Sequence, residues 1–372
     1  MTSLNHADVR FLVISDIHYG SHNTPGDGHD TDTVLLNSAM GEFTNLLEKS
    51  EFMITLGDFP THKLGLSPTK AAYIKTVFHR LYQANHHAKP MFYITGNNDS
   101  LLGDYQPFSW RAISPLTYAT DWQGACAYCE GLLIDGTHLK DKGYYSTYVL
   151  PKNKDILLIA QNSVQFTKSP HFMSDYPNQK QDAAEQLDWF KTQLNQHHAK
   201  QLLIAMHVPP GDNYKGKPFW HEAYLKQWMD IVDKASSRYG QITILTSHTH
   251  MDEIRKIHIK SGETLYAYAT PSISRIHHNN PSMKQFLLDK NLKLKDYTTF
   301  YTTLDSPWGK TQYAAIAPPN SIFPECHDKI LNTCLDALSD EAVCKRLKDG
   351  LFYGSKSPRV DASVCHLTYV VR

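Results

Sequence analysis

The 372-residue sequence predicts an α/β fold built on a sheet with parallel strands, followed by a small C-terminal helical subdomain. Three observations carry that expectation. Short hydrophobic runs alternate with stretches of helical periodicity, as βαβ units do. Five of the runs stop abruptly at a turn bearing Asp, Asn or His, and strand ends are where open α/β sheets collect ligands. From about residue 320 the pattern becomes helical and contains four of the six cysteines.

The first run, residues 9–15, ends in Asp16-Ile17-His18. Alternate side chains of an extended chain share a side, so Asp16 and His18 are expected to reach one cation. Tyr19 to Asp32 is rich in Gly, His, Asp, Asn and Thr and reads as a loop over the site. Residues 33–49 place Val34, Leu35, Ala39, Phe43, Leu46 and Leu47 at helical spacing. The second run, Phe52 to Leu56, stops at Gly57-Asp58, with His62 four residues further on. Gly-Asp alone is an ordinary turn pair; its companions give it weight. A helix is expected over 68–85, entered through Pro68. The third run, Met91 to Thr95, ends in Gly96-Asn97-Asn98-Asp99. Helical crossovers make these three strands parallel, so their ends share one edge.

Residues 100–130 are aromatic, with Tyr105, Phe108, Trp110, Tyr118 and Trp122, and are read as a packing segment in preference to a cleft wall. Strands are expected at 131–135, 144–150 and 156–160, and a helix at 180–198 with Leu187, Trp189, Phe190 and Leu194 on its apolar stripe. The alternation from Tyr144 to Val149 suits antiparallel pairing. The fourth run, Gln201 to Met206, ends in His207-Val208-Pro209-Pro210-Gly211, whose prolines and glycine fix the turn. The fifth, Ile242 to Thr246, ends in Ser247-His248-Thr249-His250, and extended geometry puts both imidazoles on one side. Residues 264–270 lead into Pro271-Ser272-Ile273-Ser274. Residues 325–350 read as helical, with Ile330, Leu331, Cys334, Leu335, Leu338, Val343 and Leu347 apolar.

Composition narrows the function. Lys+Arg and Asp+Glu are both 37, so no basic stripe suggests a nucleic-acid polymer as partner. No apolar run is long enough to span a bilayer. Histidine is abundant at 21 residues; His86-His87, His197-His198 and His277-His278 read as surface pairs. Cys126-x-x-Cys129 fits a zinc half-site, a redox pair or a disulfide framework. The even number, with four cysteines near the C-terminus, suits disulfide staples and an oxidising compartment. Six reduced cysteines in a cytosolic enzyme is the other reading. Met1 to His6 shows no signal-peptide pattern. A secreted or periplasmic monomer is expected.

The strand ends gather Asp16, His18, Asp58, Asn97, His207, His248 and His250. Seven candidates are more than one tetrahedral zinc uses. They suit two divalent ions bridged by a carboxylate. Imidazole and carboxylate donors without thiolate suit Zn, or alternatively Fe or Mn. Two ions roughly 3.5–4 Å apart clamp the attacking and leaving oxygens of an in-line displacement at phosphorus.

These motifs resemble the calcineurin-like metallophosphoesterases, whose pattern is Asp-x-His, Gly-Asp, Gly-Asn-His-Asp/Glu, a later His, and Gly-His-x-His. The resemblance implies a four-layer αββα sandwich of two mixed sheets over residues 1–315, with the helical subdomain at 316–372. It implies Asp16, His18 and His250 on one metal, Asn97, His207 and His248 on the other, and Asp58 bridging. It also implies a metal-bridging hydroxide as nucleophile on a small-molecule phosphodiester or lipid head group. Gly57-Asp58-Phe59-Pro60-Thr61-His62, His207-Val208-Pro209-Pro210-Gly211, the run from Ala269 to Ser274 and Asn280-Pro281-Ser282 resemble the acid sphingomyelinase branch. The sequence departs from the family where Asn98 replaces its histidine. Asn donates a hydrogen bond but cannot serve as a general acid, so His62 is expected to protonate the leaving group and Asn98 to bind charge. Ser247 replaces a glycine, and no saposin-like six-cysteine segment precedes Asp16. Asn98-Asp99-Ser100 is the only glycosylation-type triplet. The expected substrate is sphingomyelin-like, phosphocholine-type or a nucleotide. The alternatives are a nucleotidase or phosphomonoesterase, with Lys63, Lys215, Lys217 or Arg275 holding a terminal phosphate, and a catalytically weakened metal-bound binding protein.

Overall fold

A computed structural model describes residues 7–21, 26–62, 68–170, 174–303, 307–309, 311–349 and 364–372. In chain order, β1 (Val9–Ile14), α1 (Thr33–Glu48), β2 (Phe52–Thr55), α2 (Pro68–Ala84) and β3 (Met91–Tyr93) come first. Next are β4 (Cys126–Ala127), β5 (Leu133–Asp135), β6 (Tyr145–Leu150), β7 (Asn153–Ala160), α3 (Gln179–Gln196), β8 (Ala199–Ala205) and α4 (Glu222–Ala235). Then follow β9 (Tyr239–Thr246), β10 (Ile254–His258), β11 (Thr264–Ala269), β12 (Ser282–Leu288), β13 (Leu294–Tyr301) and β14 (Thr311–Ala314). The chain closes with α5 (Leu331–Ala337), α6 (Asp340–Asp349) and α7 (Cys365–Thr368).

The strands form two seven-stranded mixed sheets, ordered β14-β13-β12-β1-β2-β3-β4 and β10-β11-β9-β8-β7-β6-β5. β1, β2 and β3 are parallel in the first, and β7, β8, β9 and β11 in the second. Strand alternation sorts the core of the second sheet. Ile156, Leu158, Ala160, Leu203, Ala205 and Leu245 face the first sheet, in one cluster with Phe11, Ile54 and Phe286. Leu157, Ile159, Leu202, Ile204, Ile242 and Ile244 pack outward on Leu187 and Phe190 of α3 and Trp228 and Val232 of α4. On the far side, Leu36 and Phe43 of α1 and Ile74 and Leu81 of α2 join the first sheet's core. The architecture is therefore the expected helix–sheet–sheet–helix sandwich.

Two local expectations change, and the cysteines take the disulfide reading among those left open. The C-terminal helical stretch is two helices, because Leu338 is extended and the Ser339 hydroxyl accepts from the Ala342 amide, a cap that starts α6 anew. Cys126-x-x-Cys129 is a disulfide, and Cys326–Cys334 and Cys344–Cys365 staple the C-terminal segment. Of the aromatic stretch, Phe108 and Trp122 pack in the core as expected, while Trp110 is exposed and Tyr105 turns to the site. The tail also docks: Lys256 of β10 bridges Val370 in parallel, and Ile322, Phe323, Leu331 and Tyr369 belong to the core between the sheets.

Candidate metal centre

The C-terminal ends of β1, β2, β3, β8 and β9 converge where the two sheets meet. Close approach of the β2 and β3 turns requires glycine. A Cβ on Gly57 would lie 2.3 Å from the Gly96 amide nitrogen, and one on Gly96 would lie 2.0 Å from Oδ1 of Asp58. The two turns are held by Asp99. Its carboxylate accepts from the amides of Asp58 (3.0 Å), Phe59 (2.8 Å) and Gly96 (2.7 Å) and from the Tyr93 hydroxyl (2.8 Å). Burial, then the neighbouring Asp58 charge, pushes the Asp99 carboxyl above its ordinary range.

The way the ligand pairs come together differs from the sequence argument. Asp16 and His18 lie at φ 47° and 45°, and His248 and His250 at φ 71° and 62°; none is extended. Asp58 is left-handed as well, at φ 57°. Such backbone costs non-glycine residues roughly 1–3 kcal/mol each and gathers at functional sites. The outcome for Asp16 and His18 is nevertheless the expected convergence: His18 Nε2 is 3.5 Å from Asp16 Oδ1 and 3.5 Å from Asp58 Oδ2. For His248 and His250 the outcome differs, because the turn sends them to opposite flanks. His250 Nε2 lies 3.3 Å from Asp16 Oδ1, whereas His248 Nε2 meets the Tyr105 hydroxyl at 3.1 Å.

Asp16, His18 and Asp58 form one group whose donor atoms all lie within 4.8 Å of one another; Asp58, His207 and His248 form a second, and His18, His62 and His250 a third. Asp58 belongs to two groups. His207 Nε2 is 3.2 Å from Asp58 Oδ2 and 3.7 Å from Asp16 Oδ1, so the groups adjoin.

The surroundings select which atoms remain available. His18 Nδ1 donates to the Pro60 carbonyl at 3.0 Å, and His207 Nδ1 donates to the Leu56 carbonyl at 2.6 Å. That leaves each Nε2 as a lone-pair donor, the usual arrangement around imidazole ligands. Asn97 Nδ2 donates to Asp104 at 2.7 Å, which leaves its Oδ1 unengaged. Asp16 Oδ1, His18 Nε2, Asn97 Oδ1, His207 Nε2 and His250 Nδ1 are buried without a hydrogen-bond partner. Orphaned buried polar atoms are rare and costly. Three of them, Asp16 Oδ1, His18 Nε2 and His207 Nε2, lie within 3.7 Å of a neighbour in the cluster, and oxygen and imidazole nitrogen donors so placed fit divalent cations.

The local field agrees. Burial alone would lower His18 and His207, yet the Asp16 and Asp58 carboxylates outweigh it and hold them up at about 9 and about 10. Burial would raise Asp16 and Asp58, but the surrounding imidazoles, His207 foremost, keep both well below the usual carboxylate range. Burial and then the His207 charge push His248 down to about 3. The pocket favours positive charge at its centre and a neutral imidazole on its flank.

Asn98 spends its side chain on Asp58: its amide nitrogens donate to both carboxylate oxygens, the backbone at 2.8 Å and Nδ2 at 3.0 Å. His62 stacks on His18 with ring centroids 3.8 Å apart and is about one-third exposed. Its Nδ1 lies 3.0 Å from Asp30 Oδ1. Asp30 also accepts from the His62 amide (2.9 Å), the Thr61 hydroxyl (2.7 Å) and the Ser274 hydroxyl (2.8 Å). Sequence reading missed Asp30, Asp104, Tyr105 and His277. His277, read as a surface residue, is half-buried with its ring 4.5 Å from that of His250. Of the proposed phosphate holders, Lys215 and Lys217 are exposed on the 211–219 loop, Arg275 is buried in the field of Asp27 and Asp32, and Lys63 lies outside the described residues.

Residues 9–252 match the calcineurin-like phosphoesterase family. The chain belongs to that family. It is 25% identical over 287 residues to sphingomyelinase phosphodiesterase D of Dictyostelium discoideum and 26% identical over 298 residues to a cyclic GMP-AMP phosphodiesterase of Bos taurus. Each alignment covers 74% of this chain and 61% of the relative, so the chain matches less than two thirds of their length. Sphingomyelin phosphodiesterase 1 of Caenorhabditis elegans is 24% identical, over 61% of this chain and 40% of its own. A solved dimetal phosphatase from Danio rerio superposes with a TM-score of 0.48 at 11% identity, covering 82% of this chain and 98% of its own. No helix among the described residues is long and apolar enough to cross a membrane.

Proposed function

We propose that the chain is a dinuclear-metal phosphodiesterase of the acid sphingomyelinase-like type. The observation that carries the reading is the sharing of Asp58 by two donor groups, in which Asp16 Oδ1, His18 Nε2 and His207 Nε2 are buried and unpaired. Asp16, His18 and His250 would hold one ion; Asn97, His207 and His248 would hold the other; Asp58 would bridge them. The two ions, Zn or else Fe or Mn, would supply Lewis-acid stabilisation at phosphorus and an acidified water at neutral pH.

The remaining work falls to the chain. Tyr105 and the Leu56 and Pro60 carbonyls fix the rings of His248, His207 and His18. Asp104 turns the Asn97 oxygen inward. His62, oriented by Asp30, delivers a proton to the leaving alkoxide. Asn98 keeps the bridging carboxylate in place, a role that needs no acidic proton and is compatible with turnover. The disulfides suit a secreted or periplasmic setting, and the substrate class is a small phosphodiester with a phosphocholine-type or nucleotide head.

The test is parallel assay of the Zn- or Mn-loaded protein on bis-nitrophenyl phosphate, nitrophenyl phosphate and nitrophenyl phosphorylcholine, with Asp58→Asn as blank. Preference for the diesters, the choline ester above all, supports the reading. Preference for the monoester favours a phosphomonoesterase, and bound metal without Asp58-dependent turnover favours a binding protein.

A further inference from the structure

The geometry points to His277 as a second substrate-contacting imidazole, set beside His62 on the outer flank of the centre. The inference rests on the phosphodiesterase reading and deepens it. Four imidazoles form one continuous cluster. His18 and His250 are its buried floor, with centroids 5.2 Å apart. His62 stands over His18 at 3.8 Å, and His277 stands against His250 at 4.5 Å with the ring planes 55° apart. The two outer rings meet edge to face at 6.3 Å. The inner pair would bind metal, so the outer pair is what an approaching phosphoryl group meets on that side.

The loop that carries His277 is built to hold it. Ser274 donates its backbone amide to the Asp16 carbonyl at 3.1 Å and its hydroxyl to Asp30 at 2.8 Å. Asn279 Nδ2 closes the turn onto Ser272 Oγ (2.6 Å) and the Ser274 carbonyl (2.9 Å). Asp30 therefore anchors both outer imidazoles, His62 directly and His277 through Ser274. Across the site, where the family places a histidine, Asn98 is committed to Asp58. Among the described residues, the His62–His277 side thus offers imidazole to the substrate. Its chemistry suits hydrogen bonding to an anionic phosphoryl oxygen, which two neighbouring donors grip more tightly than one.

The experiment compares wild type, His277→Ala, His277→Gln and His278→Ala. Metal content, the dissociation constant for inorganic phosphate by calorimetry on the metal-loaded protein, and KM and kcat for bis-nitrophenyl phosphate are measured for each. His278 pairs with Asp27 and serves as the neighbouring control. His277→Ala should keep the wild-type metal content while phosphate affinity falls about tenfold and KM rises by a similar factor, as loss of one hydrogen bond to a charged group implies. Gln retains a donor and should recover part of the loss; His278→Ala should resemble wild type. Unchanged phosphate affinity and KM in His277→Ala, beside Asp58-dependent turnover in wild type, would overturn the inference alone. Loss of metal in His277→Ala would make the residue a support of the centre and also overturn it. A metal-loaded wild type that neither binds phosphate nor turns over would overturn the phosphodiesterase reading and the inference together.

Discussion

Asp99 gives the sharpest forecast about how the site is held. Four donors converge on its carboxylate: the Asp58, Gly96 and Tyr93 groups on Oδ2, and the Phe59 amide on Oδ1. Asp99→Asn can keep its oxygen at the Oδ2 position and so satisfy three of them. Its NH2 group then faces the Phe59 amide, leaving one buried donor unpaired at a cost of about 1–3 kcal/mol. Removing the charge beside Asp58 offsets part of that. Asp99→Ala leaves all four donors without a partner, about 4 kcal/mol at the least on the same scale. An unfolding entropy of about 2.1 cal/mol/K per residue gives a chain of 372 residues about 0.8 kcal/mol/K, so each kcal/mol moves Tm by about 1.3 °C. Thermal denaturation should therefore drop by about 1–4 °C for Asn and by about 5 °C or more for Ala. Metal content by elemental analysis should survive in Asn and fall in Ala, because the turns that carry Asp58 and Asn97 are no longer tied together. An Ala variant with wild-type Tm and metal content would refute the reasoning.

Other forecasts follow from the same contacts. Arg255 is fully buried, donating to Glu253 (2.9 Å) and to the Pro210 (3.0 Å) and Asp212 (2.8 Å) carbonyls. It thereby joins the His207 turn to the segment after His250. Arg255→Met should lower Tm by about 4–6 °C, since breaking a buried pair costs about 3–5 kcal/mol; the double variant with Glu253→Gln should lose less, and equal losses would count against the pair. Asp104→Ala should reduce the metal load while leaving Tm within about 1 °C, because it only frees the Asn97 amide to rotate; an undiminished load would remove Asp104 from the site. Opening Cys344–Cys365, which closes a separation of 21 residues, should cost about 3 kcal/mol by chain entropy. Cys344→Ser/Cys365→Ser should then melt about 4 °C lower, and an unchanged Tm would show the staple to be dispensable.

The strand ends were legible because each joins a buried run to one polar turn, and parallel order brings such turns to one edge. Asp16, Asp58, His207 and the two histidines of the last turn gather there, His248 and His250 on opposite flanks. In Asp16-x-His18 and His248-x-His250, left-handed backbone sets the side-chain directions in place of the extended alternation that the spacing suggests. Asp and His adopt that conformation more readily than most residues, but their presence does not mark which of them do. Asp30 was hidden because it lies 32 residues from His62 and meets it only across the fold. β12 was unassigned because its buried Lys284 reads as a solvent-facing residue. Its ammonium pairs with Asp252 and donates to the Ala269 carbonyl, which sequence spacing does not reveal. The helical spacing of Leu225, Trp228, Ile231, Val232 and Ala235 was present in the sequence, and α4 could have been assigned from it. His277 was misread for the opposite reason. Adjacent histidines suggest a solvated face, yet the turn closed by Asn279 folds His277 against His250 and leaves His278 outside beside Asp27.

The central claim is that Asp58 joins two cations. It is tested most directly by elemental analysis of the purified protein and of Asp58→Asn after identical loading with Zn, alongside turnover of bis-nitrophenyl phosphate. The account expects about two ions per chain in the wild type, with both metal and turnover collapsing in the variant. A single ion in the wild type, or an Asp58→Asn protein that keeps its metal and its rate, would contradict it.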